Sequence, residues 1–215
     1  MQSFRILSAL LSYPEGELLE ALSSFAPVLA EEGLVPAGAL DRFIAELASL
    51  PELDAQERYV GLFDRNRSLS LHIYEHVHGE SRDRGQAMVR LAELYRLHGL
   101  EVSAAELPDY LPLFLEFLSQ IPPRAARSLL ADAAHVLVAL RGKLETRGSL
   151  YADVIRAAEQ LAARAPQPHA VAEVLAALDE GADTLAALDR QWEEEAVRFA
   201  ASGGTAAADV AACGV

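Results

Sequence analysis

The chain has 215 residues, 52% of them hydrophobic and 7% aromatic, with a formal net charge of −14. That is enough apolar material for one sizeable core, and the acidic balance excludes a nucleic-acid binder, because phosphate contacts need an excess of Lys and Arg. The one cysteine, Cys213, excludes an intramolecular disulfide and a Cys-based metal site, and it fits a reducing, cytoplasmic location.

The N-terminal run MQSFRILSALLSYPEG predicts a short amphipathic helix with Phe4, Leu7, Leu10 and Leu11 on one face, ending near Pro14. It is too short and too interrupted by Ser8 and Ser12 to be a signal peptide or a membrane span. A second apolar segment, Leu18 to Leu29, ends in EEGLVPAG, and a third runs from Ala37 to Leu50 before Pro51. Asp54 and Glu57 have the spacing of a capping box ahead of Tyr59, Leu62 and Phe63. Ser81 is a suitable N-cap for a helix carrying Leu91, Leu94 and Tyr95, with Gly99 as its stop. Ser103 and Glu106 form a second capping box just before Pro108.

Pro108 to Ile121 is apolar around an arc of about 200°, which leaves Asp109, Pro112, Glu116, Ser119 and Gln120 as a narrow polar stripe. Pro122-Pro123 then opens a long helix with Ala126, Leu130, Ala133, Leu137, Leu140 and Leu144 in line, and Ser149 caps the next. APQPHA (Ala165 to Ala170) reads as a linker, followed by helical patterns at Val171–Leu178 and Leu185–Leu188–Trp192–Phe199. The fold class is therefore all-α: a single-domain helical bundle of about nine or ten helices over residues 1–200. An Ala/Gly-rich tail at 201–215 is expected to be disordered.

Charge is unevenly spread along this pattern. Residues 1–57 hold ten acids and two bases, residues 165–215 nine acids and two bases, and the centre is nearly neutral. An acidic rim of this kind attracts a basic peptide. The centre carries Arg65, Arg67, Arg82 and Arg84 beside His72, His76 and His78, where two helices break. This block and the apolar helix after Pro108 read together as a surface that holds another polypeptide, with Asp109 and Glu116 about 10 Å apart at a groove edge.

Catalytic readings fail. No nucleophile elbow, phosphate-binding loop, dinucleotide fingerprint or Cys-His pair is present. His76 and His78 point in nearly opposite directions on a helix, so they cannot share a metal from one face; His72 and His76, four apart, could, but two histidines alone make a poor site. A di-iron bundle would use Glu75-x-x-His78 and Asp132-x-x-His135, but the helical wheel turns His135 away from its apolar stripe and toward water. No metal or stably bound cofactor is expected, and a metal-dependent helical oxidase is the most distant alternative.

LDAQERYVGLFDRNR, SLSLHIYEHVHGESRDRGQAM, ELPDYLPLFLEFLSQIP and QWEEEAVRF, in that order, resemble the NarJ family of nitrate reductase assembly chaperones. The resemblance spans about residues 1–200 and groups the chain with the all-helical redox-enzyme maturation chaperones. It implies a non-enzymatic, cytoplasmic protein that binds the N-terminal leader-like segment of the catalytic subunit of a molybdenum-dependent nitrate reductase. That subunit would be an apo-enzyme awaiting molybdopterin guanine dinucleotide and its iron–sulfur cluster, and the chaperone would be absent from the finished enzyme. The alternative within this class is a twin-arginine leader-binding chaperone for another molybdoenzyme, such as a sulfoxide or N-oxide reductase. The partner-binding residues implied are Tyr59, Phe63, His76, His78, Arg82, Asp109, Tyr110, Phe114 and Glu116. Where the wider family often carries Asp-His in the proline-flanked motif, this chain has Asp109-Tyr110, and a tyrosine does not titrate near neutrality.

Overall fold

Proline and glycine punctuate the chain much as the sequence predicts. In the computed structural model, which describes residues 1–78, 82–103 and 106–180, ten α-helices follow one another. Helix α1 (Gln2–Leu11) buries Phe4, Leu7, Leu10 and Leu11 completely. Its N-terminal donors, which have no partner within the helix, are satisfied from α2 (Gly16–Glu32), where the Glu32 carboxylate accepts from Gln2 N at 3.0 Å and from Ser3 N at 2.6 Å. Burial pushes the Glu32 carboxyl up, but these hydrogen bonds and the amino terminus outweigh it and hold it below the ordinary value. Helix α2 stops at Gly33, whose φ of +66° lets its N–H reach Leu29 O at 3.0 Å.

Helix α3 (Asp41–Ser49) contributes Phe43, Ile44 and Leu47 to the core. Helix α4 (Glu52–Tyr59) starts directly after extended Pro51, so Asp54 lies in the first turn and not at an N-cap as expected. Its last turn widens into a π turn (Val60–Asp64), in which Arg65 N reaches back five residues to Val60 O at 3.0 Å. A 3₁₀ turn (Arg67–Leu69) leads to α5 (Ile73–His78) and α6 (Arg82–Leu97). Gly99, at φ +77°, ends α6 as predicted. The Ser81 cap lies outside the described residues.

Helix α7 (Leu111–Gln120) explains its own composition. It lies between α1 and α8 (Pro123–Thr146), so Leu111, Phe114, Leu115, Phe117 and Leu118 are all buried. Each fully buried leucine contributes about 1.5–3 kcal/mol. Ser8 of α1 donates to Pro112 O at 2.7 Å, and the Met1 amino group donates to Ser119 O at 2.8 Å, which fixes the register of α1 on α7. Helix α7 begins at Leu111, not at the Ser103–Glu106 box, because the segment before it pairs with the chain entering α5. Ile73 N donates to Asp109 O at 3.0 Å and Leu111 N to Leu71 O at 2.8 Å, a single antiparallel bridge between His72 and Tyr110.

Helix α9 (Tyr151–Leu161) packs along α8, with Val154, Ile155 and Ala158 fully buried. Arg141 of α8 donates from Nε to Glu159 at 2.8 Å and from Nη1 to Glu145 at 2.8 Å, and Arg156 reaches Glu145 at 2.6 Å. These half-exposed ion pairs stabilise by roughly a kcal/mol or less each. Helix α10 (Pro168–Glu180) then returns against α8 and α5. The chain from Met1 to Gly181 forms one unit. The helical pattern through Trp192 and Phe199 and the tail at 201–215 lie outside the described residues. Among the described residues, no helix is long and apolar enough to cross a membrane.

Candidate partner-binding site

Asp109 occupies the node from which the surrounding site is built. Its side chain is 0% exposed, where the sequence placed it on a wet stripe. The difference follows from the late start of α7: Asp109 lies in the bridge segment, outside the helix on whose wheel it was drawn. Its Oδ2 accepts from Tyr74 N at 3.1 Å, so it caps the first turn of α5 from across the chain. Its Oδ1 meets His72 Nδ1 at 3.2 Å, and Arg84 Nη2 from the first turn of α6 lies 3.8 Å from Oδ2. Arg84 Nε is buried without a hydrogen-bond partner. One carboxylate thus ties together the entry to α7, the start of α5 and the start of α6.

The aromatic residues of the predicted site divide between core and rim. Tyr59 and Phe63 are buried, with ring centroids 4.9 Å apart, and Tyr151 packs on Phe63 at 5.0 Å. Neither presents a surface to a partner. The Tyr59 hydroxyl donates to Leu11 O at 2.9 Å and accepts from the half-buried Tyr110 hydroxyl at 2.8 Å. Burial pushes both phenols above their ordinary range, so both stay neutral. The Tyr110 ring also lies 5.5 Å from the His72 ring.

His76 is 6% exposed, and its Nε2–H donates to Ser70 O at 2.6 Å. Burial holds its pKa below the ordinary histidine value, which the carbonyl and Glu75 oppose only in part. The Ser70 hydroxyl donates to Glu75 Oε2 at 2.7 Å, and Glu75 Oε1 pairs with Arg67 Nε at 3.0 Å. This part of the arginine-histidine block is therefore an internal network that shapes α5. Arg82 is exposed at the start of α6, and Glu116 is exposed on an otherwise buried stretch of α7. The His78 side chain lies outside the described residues. Among the described residues, no group of three or more His, Cys, Asp or Glu side chains could hold a metal ion.

Above this node lies an apolar cleft of about 330 Å³ between α5, α6 and α8, within the usual range of binding pockets. Phe114 of α7 forms part of its lining, with Ile73 and Val77 from α5, Leu91 and Leu94 from α6, and Leu129 and Ala133 from α8. Tyr74, Arg90, Asp132 and His135 supply its polar atoms. Val77 is 42% exposed there, which is high for a valine in a folded interior. His135 does not face water as its wheel suggested. It is half-buried in this cleft, and burial lowers its pKa against the opposing effects of Asp132 and Glu173. Of the predicted residues, the cleft takes in Phe114 directly and Asp109 through Tyr74. Sequence reasoning missed Val77, Leu94 and His135; the Ile73–Val77 and Leu91–Leu94 spacings were the available signal.

The family model described as nitrate reductase delta subunit matches residues 26–157 of the chain. The nitrate reductase molybdenum cofactor assembly chaperone NarJ of Escherichia coli K12 is 45% identical over 203 residues, covering 93% of this chain and 85% of that protein. The probable nitrate reductase molybdenum cofactor assembly chaperone NarW of the same organism is 38% identical over 206 residues, covering 96% and 87%. A further probable chaperone, NarJ of Bacillus subtilis, is 32% identical over 155 residues, covering 71% and 84%.

Proposed function

The chain belongs to the nitrate reductase delta subunit family, in which relatives 45% and 38% identical to it are named as assembly chaperones, and from that premise we propose what it binds. It is an assembly chaperone for the catalytic subunit of a molybdenum-dependent nitrate reductase, and it takes that subunit by its N-terminal leader-like segment. The segment docks as an amphipathic helix, apolar side first, into the cleft between α5, α6 and α8. Binding keeps the apo-subunit open for molybdenum cofactor and iron–sulfur cluster insertion in the cytoplasm, and the chaperone then leaves.

The observation that carries this reading is the open apolar cleft. It is lined by Val77, Leu94 and Phe114, and it lies on the same α5–α6 segment that holds the sequence EHVHGESRDRGQAM. A helix laid into such a groove gains affinity from apolar anchors and register from charges at its rim. Arg82 and Glu116 are exposed charges available for that second role, and Tyr110 is partly accessible as a neutral group. Asp109, His76, Tyr59 and Phe63 serve it indirectly, by fixing the backbone on which the cleft is built. Acidic residues dominate both ends of the chain and favour a basic segment as ligand.

The test is capture of the apo catalytic subunit by purified chaperone, with the subunit intact and with its N-terminal segment removed. Capture of the intact subunit alone is the expected result. Equal capture of both forms would remove the leader from the account.

A further inference from the structure

Helix α10 is held very differently from the helices it follows. Up to Arg164 the chain is pinned to α8: Arg127 Nε donates to Leu161 O at 2.9 Å, Ala163 N donates to Arg127 O at 2.9 Å, and Arg164 pairs with Asp132. The next three residues, Ala165, Pro166 and Gln167, form a mostly exposed joint before α10 begins at Pro168. Among the described side chains of α10, those of residues 168–176, Val174 is the buried one. It follows the proline-flanked joint within two turns.

The position of α10 gives that joint a meaning. It meets α8 and α5, which are two of the three walls of the apolar cleft. Glu173 lies close enough to the cleft residue His135 for its carboxylate to act on the imidazole. Its inward positions, Val171, Val174 and Leu175, repeat at i, i+3 and i+4, which is the pattern expected of a helix that lies in an apolar groove. A cleft of about 330 Å³ receives a few side chains, whereas a helix of about fifteen residues is roughly 22 Å long. A docked partner helix therefore overruns the cleft and continues along the groove between α5 and α8, where α10 lies.

We infer that α10 is a displaceable cover: it occupies the α8 end of the partner groove in the free protein and swings out on the 165–167 joint when a partner helix docks. The inference rests on the leader-binding reading above. It adds a competitor for the site, carried within the chain, which keeps apolar groove surface away from wrong partners until the right helix arrives. The apparent affinity of any partner is then reduced by the fraction of molecules in which the groove is closed.

Two full-chain variants test it, Val174→Asp, which replaces the anchor with a charge, and Ala172→Pro, which breaks the helix at an exposed position. Hydrogen exchange on the free proteins should show amides 168–180 exchanging at least about tenfold faster, with α5 and residues 129–137 following and α7 and α9 unchanged. A synthetic peptide from the N-terminus of a nitrate reductase catalytic subunit should bind both variants about three- to tenfold more tightly than the parent. Release of α10 with unchanged or weaker peptide binding would overturn the cover. So would unchanged exchange at 168–180 in both variants. If the peptide binds neither parent nor variants, the leader reading fails. The cover is then judged by anilinonaphthalene sulfonate, whose fluorescence should rise in both variants if groove surface is uncovered; no rise would overturn it.

Discussion

Two parts of this molecule are built from the same helical material and held by different forces. In the body of α1, α7, α8 and α9, leucine and alanine faces interdigitate, and the ends of the helices are tied to their neighbours by Ser8, the Met1 amino group and the Arg141–Glu159 pair. In the arm of α5 and α6, burial is thin. Helix α6 runs for sixteen residues with Leu91 and Tyr95 as its buried side chains, and exposes Val89 and Leu97. What fixes the arm is largely polar: the buried Asp109 carboxylate, the Tyr95 hydroxyl, which donates to Pro108 O at 2.8 Å, and the contacts of Ser70 with Glu75 and His76 that shape α5. Dispersed apolar burial gives a body that fails only as a whole. A polar node gives an arm that can move as a unit, which suits the wall of a binding groove.

The largest effect that tests this contrast comes from the body. Leu115→Ala removes a fully buried side chain from α7 and should cost up to about 5 kcal/mol. Its denaturant curve should shift as a whole, with all probes moving together. Asp109→Ala comes next, at about 3 kcal/mol, because it leaves Tyr74 N–H without its acceptor and the Arg84 guanidinium without its counter-charge. Its loss should be local, with faster amide exchange in α5 and α6 at constant protection in α8 and α9. Uniform loss of protection would make Asp109 a core residue like any other and erase the distinction.

A pH titration sharpens the same comparison at smaller scale. His76 is buried and its folded-state pKa lies below the ordinary value near 6.5. The unfolded chain takes up a proton at a pH where the folded chain still refuses it, so stability is full above about 6.5 and falls as pH drops toward the folded-state value. His135 acts in the same direction from the cleft. His76→Gln should flatten, without abolishing, the fall in melting temperature between neutral and mildly acidic pH. A steeper profile would mean that the buried imidazole is charged.

The smallest stability change belongs to Glu116→Gln, an exposed site where less than about half a kcal/mol is expected. Binding of leader peptide should nonetheless weaken by about tenfold if the carboxylate faces a partner arginine. Unchanged affinity removes Glu116 from the site.

These contrasts were unevenly legible in the sequence. The central place of α7 was readable, because a helix that is apolar nearly all round has no face to give to water. The stop at Gly99 was readable, because glycine takes the left-handed backbone that ends a helix at no steric cost. Asp109 was not, because a wheel drawn from Pro108 assumes a helix where the chain instead pairs with residues 71–73. His135 was misplaced for a related reason. Its angle on α8 was right, but a wheel for one helix carries no information about a third helix packed on its far side. The residues named from resemblance divide by burial: Tyr59, Phe63, His76, Asp109 and Phe114 are buried, whereas Arg82 and Glu116 are exposed.

The central claim is that the α5–α6–α8 cleft is where the partner helix is held. It is tested most directly by calorimetric titration of a synthetic leader peptide into the parent protein and into Leu94→Asp, which places a charge on the half-buried cleft wall. The account predicts saturable binding to the parent with a negative heat-capacity change, and affinity at least about tenfold weaker, or about 1.4 kcal/mol, for the variant at a temperature where circular dichroism shows it folded. Equal affinity of the two proteins would place the partner elsewhere and contradict it.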